Sequence, residues 1–193
     1  MLAVRIKAFY KEFLGIENDQ IAEQLAMVSR GEAIKKGQRV ISMGEYMDGL
    51  PILVTGVLRG FLVDETGRDI TDCFIHQKGD AIIGCGKFEE PSPIHIEAIT
   101  DCQVVVIPMT ALMQMMENPG LLRLYNGQLT EALNRHWQMK MQMYQSDAMT
   151  RYRWFRNAYP GLENQVSGKH LASFLGMTPV TLSRLRRKLR EDA

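Results

Sequence analysis

A run of basic and hydroxyl side chains near the end of the chain has the chemistry best suited to binding a ligand. Residues 178–190 read Thr-Pro-Val-Thr-Leu-Ser-Arg-Leu-Arg-Arg-Lys-Leu-Arg. Guanidinium and ammonium groups form charge-assisted hydrogen bonds to phosphate, and one guanidinium can bond two acceptors on the edge of a guanine. The residue types therefore point to a polyanionic ligand, and nucleic acid is the first class to consider.

The same residues predict a helix with two different faces. Thr178 is a suitable N-cap, because its hydroxyl can accept from a first-turn N–H, and Pro179 suits the first helical position. At about 100° per residue, one face collects the side chains suited to a core, Leu182, Leu185 and Leu189. The opposite face collects Val180, Ser183, Arg184 and Arg187. One face can therefore pack while the other meets an anion.

A short helix rich in small residues is predicted immediately before this one. Ala172 and Ser173 allow a close approach, and Gly176 makes the tight turn between the two helices. Two helices joined in this way form the helix-turn-helix arrangement, whose second helix enters the major groove of DNA. The alternative is a solvated basic helix that contacts only water.

Charge is distributed unevenly along the chain. Residues 151–193 contain nine Lys and Arg against three Asp and Glu, a net charge of +6. The first 150 residues contain 14 basic and 19 acidic side chains, a net charge of −5, so the overall +1 conceals a basic end. Such a distribution favours a nucleic-acid partner over a membrane surface.

The composition argues against several other classes of protein. No apolar run approaches the ~18 residues that a membrane span needs, and the amphipathic first residues do not form a secretory signal. Cys73, Cys85 and Cys102 lack metal-site spacing, which favours reduced thiols in a cytoplasmic protein. There is no nucleophile–base pair and no P-loop, and residues 95–97 (His-Ile-Glu) are too little for a cupin-type metal centre. We therefore expect no catalysis and no bound metal.

Between residues 31 and 107, short β-branched and aromatic runs alternate with glycine turns. The predicted strands are Arg39–Met43, Ile52–Thr55, Leu58–Val63, Ile70–His76, Ala81–Ile83, Ile94–Ile99 and Gln103–Ile107. Residues 64–68 (Asp-Glu-Thr-Gly-Arg) predict a hairpin turn. Many short, evenly spaced strands favour an antiparallel jelly roll, and two short helices are predicted before it in residues 2–29.

Helix-forming residues dominate after Pro108. A short helix is predicted over 109–116, and a long one begins at Pro119 and extends to about Gln145. Side chains recur along the long helix at alternating spacings of three and four residues, as in a coiled coil; they are Leu122, Tyr125, Leu129, Ala132, His136, Met139 and Met143. This seam predicts pairing with a second copy of the chain. The alternative is packing against the strands of its own chain.

This order of parts resembles the Crp/Fnr family of bacterial transcription regulators. The residues that carry the resemblance are Leu171–Leu185 in the helix-turn-helix and Gly60–Gly84 in the strands, with Gly67, Phe74 and Gly79-Asp80. The expected fold is α+β, with an N-terminal antiparallel β-roll (a jelly roll like a cyclic nucleotide-binding domain), a long dimerisation helix and a C-terminal helix-turn-helix. The corresponding domains are residues 1–117, 118–146 and 147–193.

The resemblance also implies partners and contacts. It implies a cytoplasmic homodimer joined through the long helix, with two recognition helices in successive major grooves of a near-palindromic operator in double-stranded DNA. RNA polymerase is a further implied partner, and no membrane contact is expected. The positions that would read bases are Pro179, Val180, Ser183 and Arg184. The residues better suited to phosphate contacts are Thr178, Thr181, Arg187 and Lys188.

Departures from the family pattern bear on the effector. Ile83-Gly84 and Ser92-Pro93 stand where the family has the Gly-Glu pair and the arginine that hold cyclic AMP, so this ligand is not expected. No cysteine precedes Cys73, which argues against an iron–sulfur cluster. His76 or His95 in a strand is more readily a hydrogen-bonded side chain than a haem ligand. Because only three residues of the sequence follow Arg190, we expect no β-hairpin wing after the recognition helix.

We therefore predict no cofactor and leave open an unidentified small-molecule effector. The leading functional hypothesis is a sequence-specific DNA-binding regulator without catalysis. The alternative is a small-molecule sensor whose helix-turn-helix contacts another protein instead of DNA.

Overall fold

The computed structural model describes residues 2–84 and 90–191, so Cys85 lies outside the described residues. The helices are α1 (Leu2–Leu14), α2 (Asp19–Val28), α3 (Met109–Met116), α4 (Pro119–Gln145), α5 (Ala148–Ala158), α6 (Gly168–Phe174) and α7 (Pro179–Glu191), with a 3-10 helix at Leu162–Asn164. The strands are β1 (Arg30–Ile34), β2 (Arg39–Ile41), β3 (Gly49–Thr55), β4 (Leu58–Val63), β5 (Asp69–Ile75), β6 (His95–Ala98) and β7 (Cys102–Pro108). The predicted α+β order of β-roll, long helix and C-terminal helices is confirmed.

The chain forms two compact units. The first comprises Met1–Gly60 and Ile75–Ala132, and the second comprises Phe61–Phe74 and Leu133–Ala193. Strand β4 and helix α4 therefore each contribute residues to both units. The domain boundaries after residues 117 and 146 stay a prediction.

Two antiparallel sheets make up the β-roll. One has the strand order β1-β7-β3 and the other the order β2-β6-β4-β5. Side chains from both sheets form one apolar core, in which Leu53, Ile82 and Ile96 have no exposed surface. A second apolar core joins α1, α2 and α3 to β3 and β7. Burial of these apolar side chains makes the largest favourable contribution to the free energy of folding of the first unit.

The strand predictions need two corrections. Ala81–Ile83 is not a strand, because only Ala81 bridges to Ile52 and the turn at Gly79 (φ 93°) limits the pairing with β3 to a few bonds. Strand β1 is absent from the prediction, because its residues are charged or exposed and show no apolar alternation. Antiparallel pairing with β7 holds β1 in place. Both errors have the same cause. Whether a segment becomes a strand depends on pairing with a neighbouring strand as well as on its own residue pattern.

The predicted hairpin between β4 and β5 is confirmed. The Asp64 carboxylate accepts from the N–H groups of Thr66 and Arg68 at 3.0 Å each, and Gly67 adopts the left-handed φ of 78°. The Thr66 hydroxyl, followed by the Arg68 N–H, lowers the pKa of Asp64 to about 2. The turn is therefore organised by one ionised carboxylate.

Helix α4 is confirmed as a long element of 27 residues, and none of its side chains is fully buried. Its residues before Leu133 belong to the first unit and the remainder to the second. Among the described residues, no helix is both long and apolar enough to cross a membrane.

A buried ion pair links β4 to β6. The Arg59 side chain is only 4% exposed, and its Nε donates to Glu97 Oε1 at 2.7 Å. A guanidinium is expensive to remove from water unless a carboxylate or other acceptor compensates it. The pair therefore favours one alignment of these neighbouring strands.

Replacing Glu97 with alanine should lower the free energy of unfolding by about 3 kcal/mol, because the Arg59 charge would lose its carboxylate partner while staying buried. The matched control is Glu32→Ala, which removes an exposed ion pair to Arg30 and should cost less than about 1 kcal/mol. Urea unfolding followed by circular dichroism measures both values. Equal losses in the two variants would contradict a special role for the buried pair.

Candidate nucleic-acid interface

Helix α7 begins with the predicted cap. The Thr181 N–H donates to the Thr178 hydroxyl oxygen at 3.1 Å, and the Leu182 N–H donates to the Thr178 carbonyl at 3.0 Å. The Thr178 and Thr181 hydroxyls also lie 2.9 Å apart. Pro179 occupies the first helical position, where it has no N–H to satisfy. The predicted start of this helix is thus confirmed.

The turn before α7 depends on Gly176. Its φ of 61° lies in the left-handed region, which a side chain would strain. The Gly176 N–H donates to the Ser173 carbonyl at 3.0 Å, and the Met177 N–H donates to the Ala172 carbonyl at 2.9 Å. Arg151 Nη2 donates to the Gly176 carbonyl at 3.4 Å. These bonds satisfy the end of α6 and set the direction in which α7 leaves it.

The two faces of α7 are as the helical wheel predicts. Leu182 is fully buried, and Leu185 and Leu189 are half-buried. The four residues predicted to read bases are all exposed: Pro179, Val180, Ser183 and Arg184. Of those predicted to contact phosphate, Thr178, Arg187 and Lys188 are exposed and Thr181 is half-buried. All eight lie on α7 or at its cap, and seven of them are exposed.

A carboxylate of the 3-10 helix ties α7 to α5. Glu163 accepts from the Tyr152 hydroxyl at 2.7 Å and forms ion pairs with Arg156 at 3.3 Å and Arg186 at 4.0 Å. Burial, together with the Glu163 carboxylate, raises the pKa of Tyr152 and keeps its hydroxyl a donor. Arg186 therefore helps to position α7, while Arg184, Arg187 and Lys188 project from it into solvent.

Strand β5 belongs to the same unit as the helix-turn-helix. The Phe74 ring lies 5.0 Å from the Phe174 ring and 6.3 Å from the Phe155 ring, between centroids, so β5 packs on both α5 and α6. The Thr71 N–H donates to the Ser173 hydroxyl at 2.9 Å, and Lys169 pairs with Asp69 at 3.6 Å. These strand residues are predicted as part of the β-roll, because nothing in their local pattern indicates a helical partner so distant along the chain.

The seven residues of the predicted dimer seam lie mostly against their own chain. Six of them, Tyr125, Leu129, Ala132, His136, Met139 and Met143, are half-buried, and Leu122 is exposed. Tyr125 packs against the core of the first unit. His136 Nε2 lies 4.0 Å from Asp72 Oδ2, and the Met143 sulfur lies 3.8 Å from where a Cβ on Gly176 would stand. The seam's role in pairing stays a prediction.

The adjacent face of α4 carries large apolar side chains that the chain leaves exposed. They are Leu133 (57% exposed), Trp137 (57%), Met141 (43%) and Tyr144 (82%). This exposed α4 stripe is rotated by about 100° from the predicted seam on a helical wheel. Exposed apolar groups concentrated on one helix face indicate a surface that another protein covers.

Ser92 lies in the segment that the family resemblance associates with the phosphate of a cyclic nucleotide, and its side chain contacts main-chain groups. Ser92 is buried, and its hydroxyl oxygen lies 2.8 Å from the Gly84 carbonyl oxygen and 2.7 Å from the Ile94 carbonyl oxygen, so its single proton is shared between these two acceptors. The His95 Nδ1 accepts from the Met43 N–H at 3.0 Å, as expected of a hydrogen-bonded histidine in a strand. These groups are thus engaged in local structure, and residues 85–89 lie outside the described part of the chain.

A small cavity lies in the apolar core of the first unit. Its volume is about 80 Å³, and its walls include Leu14, Ile52, Leu112 and Tyr125. Drug-sized ligands occupy pockets of about 300–1,000 Å³, so this cavity is too small for a nucleotide.

Replacing Thr178 with alanine should lower the free energy of unfolding by about 1 kcal/mol, because the Thr181 N–H loses its capping acceptor. The conservative variant Thr178→Ser keeps the hydroxyl and should stay close to the native value. Thermal unfolding followed by circular dichroism compares the three proteins. A Thr178→Ser variant as unstable as Thr178→Ala would show that the methyl group, not the cap, matters.

Comparison with known proteins identifies the domain and the fold. Residues 31–119 match the family model of the cyclic nucleotide-binding domain. No curated protein sequence is similar enough to the chain to count as a relative.

Several solved structures share the architecture. FixK2 from Bradyrhizobium japonicum has a TM-score of 0.74 at 20% identity, covering 86% of each chain. CLP, a c-di-GMP-responsive global regulator from Xanthomonas campestris, has a TM-score of 0.72 at 16% identity, covering 91% of this chain and 93% of its own. A Crp/Fnr-family transcriptional regulator from Eubacterium rectale has a TM-score of 0.72 at 16% identity, covering 95% and 88%. Residues 31–119 therefore form a domain of the cyclic nucleotide-binding type, and the chain has the fold of the Crp/Fnr transcription regulators.

Proposed function

We propose that this protein is a sequence-specific DNA-binding transcription regulator that acts as a homodimer and performs no catalysis. The observation that carries the proposal is helix α7, whose buried leucine face and exposed basic face are set by a capped turn. Similarity of fold to transcription regulators supports it. The proposal includes RNA polymerase as the protein that the DNA-bound regulator would contact.

The exposed side chains of α7 divide by the contacts that they can make. Arg184 can bond O6 and N7 of a guanine together, which discriminates against other bases by about 1–3 kcal/mol. Ser183 can bond a base edge, and Val180 and Pro179 offer apolar contact, for example to a thymine methyl group. Arg187 and Lys188 lie farther along the helix, and with the Thr178 and Thr181 hydroxyls they suit phosphates that set the register.

The proposed dimer contact is the exposed α4 stripe, and its proposed occupant is the same stripe of a second chain. Leu133, Trp137, Met141 and Tyr144 recur within three turns of one helix, as in a helix pair. A twofold pair would present two copies of α7, which is what a near-palindromic operator requires. The predicted seam then adjoins this contact while packing largely against its own chain.

Binding to DNA should weaken steeply with salt. Each phosphate that the protein neutralises contributes about −0.9 to the slope of log affinity against log salt concentration. Fluorescence anisotropy with a fragment enriched from genomic DNA by the protein measures this slope. A weak interaction that does not depend on salt would overturn the proposal and favour the alternative of a protein-binding helix-turn-helix.

Two variants of α7 should separate base reading from phosphate contact. Arg184→Ala should reduce the preference for the operator over unrelated DNA by about tenfold or more. Lys188→Ala should weaken binding to all sequences alike and lower the salt slope by about one. Arg123→Ala removes an exposed arginine of α4 as the control and should leave both properties unchanged. Loss of affinity without loss of preference in Arg184→Ala would contradict its assigned role.

Charge placed in the exposed α4 stripe should dissociate the dimer. Trp137→Glu introduces carboxylates that would face each other across an apolar contact, so we expect a monomer by analytical ultracentrifugation. Glu131→Gln, on another face of α4, is the control and should stay dimeric. A Trp137→Glu dimer as stable as the native one would place the contact elsewhere.

A further inference from the structure

Three potential metal ligands meet in the second unit. A carboxylate oxygen of Asp72, the Cys73 sulfur and a ring nitrogen of His136 all lie within 4.8 Å of one another, and each residue is half-buried. The Asp72 Oδ2 to His136 Nε2 distance is 4.0 Å. Asp72 and Cys73 are consecutive residues of β5, whereas His136 comes from α4. Their meeting is a product of folding and has no signature in sequence spacing.

The residues on either side of this cluster hold it in place. Thr71 is anchored to α6 by its N–H bond to the Ser173 hydroxyl, and Phe74 is anchored by the Phe155 and Phe174 rings. Asp72 and Cys73 therefore sit on a stretch of strand that is fixed at both ends. A site whose donors stand on rigid elements pays less ordering entropy when a ligand binds.

The donor set suits a borderline transition-metal ion. A thiolate, an imidazole and a carboxylate are ligands of Zn²⁺, whereas Mg²⁺ and Ca²⁺ prefer oxygen alone. A tetrahedral Zn²⁺ with bonds of about 2.0–2.3 Å holds its donors about 3.5 Å apart. The separations here, at most 4.8 Å, exceed that value by no more than about 1.3 Å, a distance that side-chain rotation covers.

We propose that Asp72, Cys73 and His136 bind a divalent transition-metal ion, with Zn²⁺ as the best match. The chain supplies three ligands, and the fourth position is open to water or a small exogenous donor, as in zinc sites that have only three protein ligands. Binding replaces the S–H bond of Cys73 by a metal–sulfur bond, and the thiol proton goes to solvent.

The metal site has a consequence for the helix-turn-helix. Coordination would fasten β5 to α4, and β5 is the strand whose Thr71 and Phe74 contact α5 and α6. The ion would therefore stabilise one arrangement of the elements that carry α7, which makes it a candidate effector. Metal binding itself does not depend on the proposed function, but the effector role rests on it.

The test uses Co²⁺ as a spectroscopic probe on the full chain, stripped of metal with a chelator and kept reduced. We expect a thiolate-to-Co²⁺ charge-transfer band that Zn²⁺ displaces, with release of one proton per ion. Cys73→Ser should abolish the band, and Asp72→Asn and His136→Gln should each weaken binding by at least about tenfold. Cys102→Ala is the matched control, because the Cys102 thiol is buried in the apolar core of the first unit.

Two further measurements distinguish failure of the metal site from failure of the effector role and of the proposed function. Zn²⁺ should protect Cys73 of the native chain from alkylation, as mapped by mass spectrometry. This measurement tests the site even if a variant does not fold. Zn²⁺ should also change the affinity for the enriched DNA by about fivefold or more. A missing band, or a band that survives in Cys73→Ser, overturns the site. Metal binding without any effect on DNA affinity overturns the effector role, and DNA binding absent under all conditions overturns the proposed function while leaving the site intact.

Discussion

Helix α4 depends on packing contacts on more than one of its faces. It is 27 residues long, and none of its side chains is fully buried. Backbone hydrogen bonds alone hold such a helix only marginally, so tertiary packing has to supply the remaining stability. Tyr125 packs on the core of the first unit, while His136 and Met143 lie close to β5 and the α6–α7 turn in the second. What is left over is the exposed α4 stripe, and the proposal of a dimer follows from it.

The helix-turn-helix separates positioning from recognition. Leu182, the Thr178 cap and the Glu163 carboxylate determine where α7 lies. The buried face and the ion pairs position α7. The exposed face is therefore free to carry positive charge that is not needed to position the helix. Self-repulsion among those charges is tolerable only when the buried face is well packed, and it is relieved when an anion binds.

The described part of the β-roll is stabilised by contacts among its own side chains and main chain. Ser92 is used to close main-chain structure, and the apolar cavity of the first unit is small. The apolar cores and the Arg59–Glu97 pair hold the sheets together. Function on such a fold lies in particular sites, and the Asp72, Cys73 and His136 cluster is one that the sequence does not announce.

The sequence by itself determined the elements whose signals are local. The Thr178-Pro179 cap, the Gly176 turn, the leucine spacing of α7 and the length of α4 all follow from interactions within a few residues. Tertiary structure decided the rest, because those features depend on partners far away along the chain. Strand β1 exists through its pairing with β7, β5 packs on α5 and α6 through Phe74, and His136 meets Asp72 and Cys73. Which face of α4 stayed exposed was likewise set by packing, since heptad spacing alone does not say which neighbour covers a seam.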